Sequence, residues 1–294
     1  MNRAAALRQS VIWPVILVIV AMISIQTGAT IAKSMFPIVG APGATALRLF
    51  FAALILMIVM RPWRTMPEKG GWRPILLYGA ALGGMNLLYY MALQRLPLGI
   101  AVALEFTGPL AVAMLGSRRP LDFLWVGLAI AGLLLLLPVG VGATSIDPVG
   151  AGFALAAGGC WALYIVFGQK AGGDHGTRSV AWGSMVAATL VVPIGIADAG
   201  AALLNMGVIP MAIGVAVLST ALPYTLEMKA LTQLPSRVFG TMMSIEPAIG
   251  ALSGLILLGE RLTVLQWGAI GAVVAASFGA ALTIAPRPAE PLLD

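Results

Sequence analysis

The chain has 294 residues, 60% of them hydrophobic and only 10% charged, with a mean hydropathy of +0.99. Soluble domains carry about a quarter charged residues, so a soluble enzyme is excluded and a polytopic α-helical membrane protein is expected. The apolar runs are continuous rather than alternating, which excludes a β-barrel. The net charge of +6 is spread among loops, with no patch for a phosphate backbone, so nucleic acid is not an expected partner.

Ten spans are predicted, at about 11–32, 43–60, 74–94, 98–116, 121–139, 148–169, 179–197, 207–227, 236–258 and 263–285. Each approaches the ~20 residues that cross a ~30 Å hydrocarbon core. Arg3 and Arg8 precede the first, in the manner of a signal peptide. The run to about Ala32 is too long for such a segment, so it is read as the first membrane helix. The connections are short and marked by Gly, Pro or charge, as in 61–64, 117–120 and Gly172-Gly173-Asp174. The tail 286–294 is Pro-rich and expected to be disordered.

With both termini cytoplasmic, and Arg237 at the start of span 9 counted with that side, thirteen of the seventeen Lys and Arg residues fall on the cytoplasmic side and three on the other. Arg48 lies within span 2. That is the asymmetry expected of cytoplasmic loops, and it sets the predicted orientation.

The chain also repeats itself. Residues 92–97 (ALQRLP) are echoed by 230–235 (ALTQLP), an offset of 138. The same offset carries Pro109 onto Pro247, and Trp125 has a counterpart in Trp267. The expected units are 1–140 and 141–285. Five spans per unit is an odd number, so the second unit enters the membrane upside down. Inverted repeats of this kind belong to alternating-access transporters, with the substrate near the midplane.

Two acids sit deep in apolar runs. Glu105 is in span 4, four residues before Pro109, and Glu246 is in span 9, immediately before Pro247. Pro109 cannot donate to the carbonyl of residue 105, nor Pro247 to that of Met243, so each span offers a free acceptor at an expected hinge. Intramembrane acids are expensive and lean toward function. Substrate recognition, proton binding and an inter-helix lock all remain open for them. The polar lining candidates are Gln26 in span 1, Asn86 and Tyr89 in span 3, Tyr164 in span 6 and Tyr224 in span 8. Tyr78, Trp63 and Trp72 are read as interfacial anchors, and Lys33, Lys170 and Lys229 as snorkelling ends. Gly79-x-x-x-Gly83 and Gly250-x-x-x-Gly254 are read as internal helix-packing signals.

There is one cysteine, Cys160, and one histidine, His175, which together make neither a disulfide nor a zinc site. No metal or other cofactor is expected. No hydrolase or metalloprotease signature and no phosphate-binding glycine loop is present, so neither enzyme chemistry nor ATP drive within this chain is expected.

Seven stretches carry a family resemblance: 24–34 (SIQTGATIAKS), 40–49 (GAPGATALRL), 78–90 (YGAALGGMNLLYY), 96–113 (LPLGIAVALEFTGPLAVA), 117–125 (SRRPLDFLW), 219–235 (STALPYTLEMKALTQLP) and 239–260 (FGTMMSIEPAIGALSGLILLGE). With them the chain resembles the EamA-type branch of the drug/metabolite transporter superfamily, and within it the bacterial inner-membrane threonine/homoserine exporters. It is similar, more loosely, to exporters of aromatic amino acids. The resemblance implies ten helices in two inverted repeats and export of a small amino acid through the lipid bilayer. Protons are a candidate coupling ion. Efflux of drugs or other metabolites, and a non-transporting membrane subunit, are the alternatives.

Overall fold

A computed structural model describes residues 3–64, 66, 71–115, 120–136, 146–175, 178–231 and 242–283. The described residues are helical or connecting, with no strand among them. In hydrocarbon every backbone N–H and C=O must find its partner within the protein, and a helix does this within its own segment.

The first helical run, Arg3–Met60, is broken at Gly40, whose φ of 68° and ψ of 173° no helix accommodates. Its two arms are α1 (3–39) and α2 (41–60). Span 1 therefore continues about seven residues past its expected end. Next come α3 (Trp72–Leu93), α4 (Leu98–Glu105), α5 (Thr107–Leu115), α6 (Pro120–Leu136), α7 (Pro148–His175) and α8 (Arg178–Ala199). The last four are α9 (Val208–Ala216), α10 (Leu222–Leu231), α11 (Glu246–Leu258) and α12 (Val264–Thr283). Residues 172–174, expected in a loop, are the last turn of α7. The connection 232–241, with Pro235, and the tail 286–294 lie outside the described residues.

Among the described residues, five helical segments are long and apolar enough to cross a membrane: Trp13–Met60, Trp72–Leu93, Pro148–Gly168, Arg178–Leu204 and Val208–Glu227. Trp13–Met60, at 48 residues, contains both arms of the broken run. Shorter apolar helices cover Leu98–Val112, Glu246–Leu258 and Val264–Ala276. Exposed Ile, Leu, Val and Phe side chains, such as Val59, Leu76, Ile196 and Ile256, face outward along the bundle. Water would reject that surface and a bilayer accepts it.

The helices approach one another through small residues. A Cβ on Gly79 would meet Val186, and one on Gly83 would meet the Ala187 backbone 3.2 Å away, so this glycine pair seats α3 on α8. Gly99 lies against Ala251, and Gly250 against Val102, which brings α4 onto α11. Both glycine motifs thus serve contacts inside the chain. α2 packs on α8, α3 on α7, and α6 on α12, where the Trp125 ring lies over Gly279. α1 crosses the α9–α10 segment at Gly28 and meets α11.

Candidate functional site

The interior holds a cluster of polar groups that no membrane protein buries without cause. Glu105 ends α4 and is 7% exposed, and Glu246 opens α11 and is 6% exposed. Glu105 and Glu246 lie within electrostatic range of each other, and Tyr89 lies within range of both. Glu227 on α10 joins them, within range of Glu246.

The proline-bearing helices are interrupted beside these acids. α4 stops at Glu105 and α5 begins at Thr107. Phe106 between them keeps near-helical angles (φ −65°, ψ −13°), so the interruption is a loss of bonds and not a sharp turn. The Glu105 carbonyl that Pro109 leaves free lies against α7, where a Cβ on Gly158 would come within 2.6 Å of it. Gly108 and Gly158 meet backbone to backbone, and the Phe106 ring packs edge-on against Trp161 at 5.6 Å. In the second half the break falls at residues 244–245, and Pro247 sits in the first turn of α11. The 138 offset carries residue 106 onto residue 244. Each proline therefore stands just after an interruption of its helix.

Arg48 is the residue the sequence reading passed over. Loop-charge counting sets it inside span 2 and gives it no place in the site. It lies on α2, 6% exposed, and is the one buried cation among the described residues. Its Nε donates to Thr220 Oγ1 at 3.2 Å, and its Nη2 donates to the Ser219 carbonyl at 3.0 Å. The Tyr90 ring lies 5.1 Å beneath its guanidinium carbon, a cation–π contact. The signal was available: an arginine in an apolar run is as costly as a glutamate.

Ser219 and Thr220 belong to a π-turn, Val217–Ala221, joining α9 to α10. The turn follows from Pro223, which has no N–H for the carbonyls four and five residues back. Side chains from other helices take those two carbonyls. Ser24 donates its hydroxyl to Leu218 O at 2.6 Å, and Arg48 takes Ser219 O. A Cβ on Gly28 would reach 2.8 Å from Ser219 Cβ, so that glycine lets α1 lie directly on the bulge.

The other sequence candidates divide. Gln26 is 1% exposed; its Oε1 has no hydrogen-bond partner and lies near Gly250, one turn beyond Glu246. Glu246 Oε2 and Glu227 Oε1 are likewise buried without a partner. Tyr89 packs against Tyr90 at 6.0 Å, within electrostatic range of Arg48. Tyr224 is half-buried and within range of Arg48, Glu227 and Glu105. Tyr164 stacks on Tyr78 at 4.9 Å. Asn86 is buried, and its Nδ2 donates to Leu82 O at 2.8 Å on its own helix. Tyr78 is a correction: it is 3% exposed, its ring lying against Gly183, so it is packed in the bundle and is no interfacial anchor. Trp63 is exposed as an anchor would be, while Trp72 packs edge-on against Trp182 at 5.1 Å. A cavity of about 240 Å³ lies elsewhere, lined by apolar residues that include Phe50, Phe51, Val192 and Leu203.

Toward one end of the bundle, Lys33 departs from the snorkelling expectation. Its Nζ donates to Glu260 Oε1 at 2.5 Å and to Leu96 O at 3.0 Å. Glu260 Oε2 accepts the Leu98 N–H at 2.7 Å, capping α4. Gly259, left-handed at φ 66°, turns the chain so that Glu260 reaches this position. Nearby, Arg95 pairs with Asp147 at 2.7 Å, and this hydrogen bond holds the Asp147 carboxyl below its usual range.

An apolar helical bundle around a buried cluster of mixed charge defines a multi-pass membrane transporter. The chain belongs to the EamA-like transporter family, whose profile matches residues 12–138 and again 148–282. It is 56% identical over 280 residues to the threonine/homoserine exporter RhtA of Escherichia coli K12, covering 95% of each chain. It is 56% identical over 282 residues to the exporter of the same name in Salmonella typhimurium LT2, covering 96% of each. A solved crystal structure 18% identical to it superposes with a TM-score of 0.60, covering 92% of this chain and 96% of that one, a likeness of fold alone.

Proposed function

We propose that this protein is a secondary exporter of threonine and homoserine, working by alternating access in a bacterial inner membrane with both termini cytoplasmic. The observation that carries the reading is the burial of Glu105, Glu246 and Arg48 together in an apolar bundle whose relatives, at 56% identity, are named for that export. Ten membrane spans in two inverted repeats are part of the reading. Two findings support them. The family profile matches twice, and the helix contacts keep their pattern when each span is exchanged for the one five places on. Span 1 meets span 8 as span 6 meets span 3, while spans 2 and 7, 4 and 9, and 5 and 10 pair with each other.

In this mechanism Glu105 and Glu246 are the polar determinants, and the interruptions before Pro109 and Pro247 let spans 4 and 9 bend. Gln26, Asn86, Tyr89, Tyr164 and Tyr224 line the path. Liposomes containing the purified protein are expected to move radiolabelled threonine down its gradient, with unlabelled homoserine competing. Flux no greater than in protein-free liposomes would remove the assignment. Glu105→Gln and Glu246→Gln are each expected to lower the threonine flux at least tenfold.

A further inference from the structure

The buried cation at the centre of the bundle has a use that the acids do not supply. Arg48 lies seven residues into α2, as Glu105 lies seven residues into α4, about 10 Å along each helix at 1.5 Å per residue. Glu105 is within electrostatic range of Arg48. Yet none of the ion pairs among the described residues, taken to 4.0 Å, includes Arg48. Its two hydrogen bonds go to neutral oxygens of the π-turn and use two of five N–H groups. A buried charge without a contacting counter-charge is costly, and a purely structural tie to the bulge needs no charge at all. In the same bundle, the buried oxygens Gln26 Oε1, Glu227 Oε1 and Glu246 Oε2 have no donor. A planar cationic fork and orphaned acceptors are together the two kinds of group that a zwitterion needs.

We propose that Arg48, held in place by the π-turn at Ser219 and Thr220, binds the α-carboxylate of the exported amino acid, while the substrate ammonium faces the acids of α4 and α11. The assignment rests on the amino-acid export reading and adds a chemical rule to it: substrates need a free carboxylate. Arginine suits this role because its fork matches a carboxylate with two parallel bonds, which lysine cannot do.

The test uses the full-length protein in liposomes loaded with radiolabelled threonine. The competitors are homoserine, threoninol, which lacks the carboxylate, and N-acetylthreonine, which keeps it. Homoserine is expected to compete, and threoninol to be at least tenfold weaker. Arg48→Lys is expected to raise the KM for threonine at least tenfold and to narrow the gap between homoserine and threoninol; a merely structural arginine would leave that gap unchanged. Where Arg48→Lys does not yield folded protein, the competition series on the unaltered protein decides. Threoninol competing as well as homoserine, or a lysine variant with unchanged KM and selectivity, overturns the Arg48 assignment and leaves the export reading standing. Absence of threonine flux from the unaltered protein overturns the export reading, and this assignment with it.

Discussion

Glycines 108 and 158 show how little room the hinge leaves. Their backbones touch across α5 and α7, and the Glu105 carbonyl freed by Pro109 sits in the same contact. Neither can gain a methyl without moving a helix. Gly158→Ala is expected to destabilise the protein by about 1–3 kcal/mol, the usual cost of overpacking, read as a lower Tm in detergent. Gly152, which has nothing within 4 Å of its added Cβ, is the control: Gly152→Ala is expected to leave the Tm unchanged or raise it. Glu105 and Glu246 were legible from sequence because an acid in an apolar run stands out. Arg48 stands out equally, but counting loop charges leaves it inside span 2 with no side and no role. Gln26 was legible as polar, and only packing brought it beside Gly250 and the Glu246 turn.

The α9–α10 segment is where one uniform α-helical register does not hold throughout. The π-turn at Val217–Ala221 inserts an extra residue into that register, so the face before the turn is offset from the one after it. Pro223→Ala restores an N–H that competes with Arg48 for the Ser219 carbonyl. It is expected to raise the threonine KM by several-fold while the chain stays folded, as measured by liposome flux and Tm. A second element-level device is the Lys33–Glu260 pair with the α4 cap. Glu260→Gln keeps an acceptor for Leu98 N–H and loses the ion pair, while Glu260→Ala loses both. The alanine variant is expected to be the less stable, by about 1–3 kcal/mol relative to the native protein, with the glutamine variant between them. Sequence alone suggests snorkelling for Lys33, because a lysine near a helix end offers no hint of a partner 227 positions away.

Across the whole molecule, the charge asymmetry predicts that tags at either terminus report from the cytoplasm. A reporter fused after residue 294 that is active only in the cytoplasm is expected to be active, and one active only outside to be silent. The Arg95–Asp147 pair adds a pH prediction. Its bond to Arg95 lowers the Asp147 carboxyl below its ordinary 3.8, so its stabilisation is complete above that value and is lost as pH falls through the lower folded one. The Tm of the native protein is therefore expected to drop more steeply below about pH 4 than that of Asp147→Asn, which does not titrate.

Apolar runs, their lengths, the loop charges and the repeated proline were enough to establish a helical membrane protein and to mark two of its buried acids. Those features are local, since each depends on whether a segment prefers lipid to water. Which carbonyls Pro223 frees, that Ser24 and Arg48 satisfy them, and that Lys33 reaches Glu260 were settled by the packing of distant helices. A hydrogen bond between residues some two hundred positions apart leaves no trace in the spacing of either one. It exists only once small residues have let the helices come close enough for the side chains to meet.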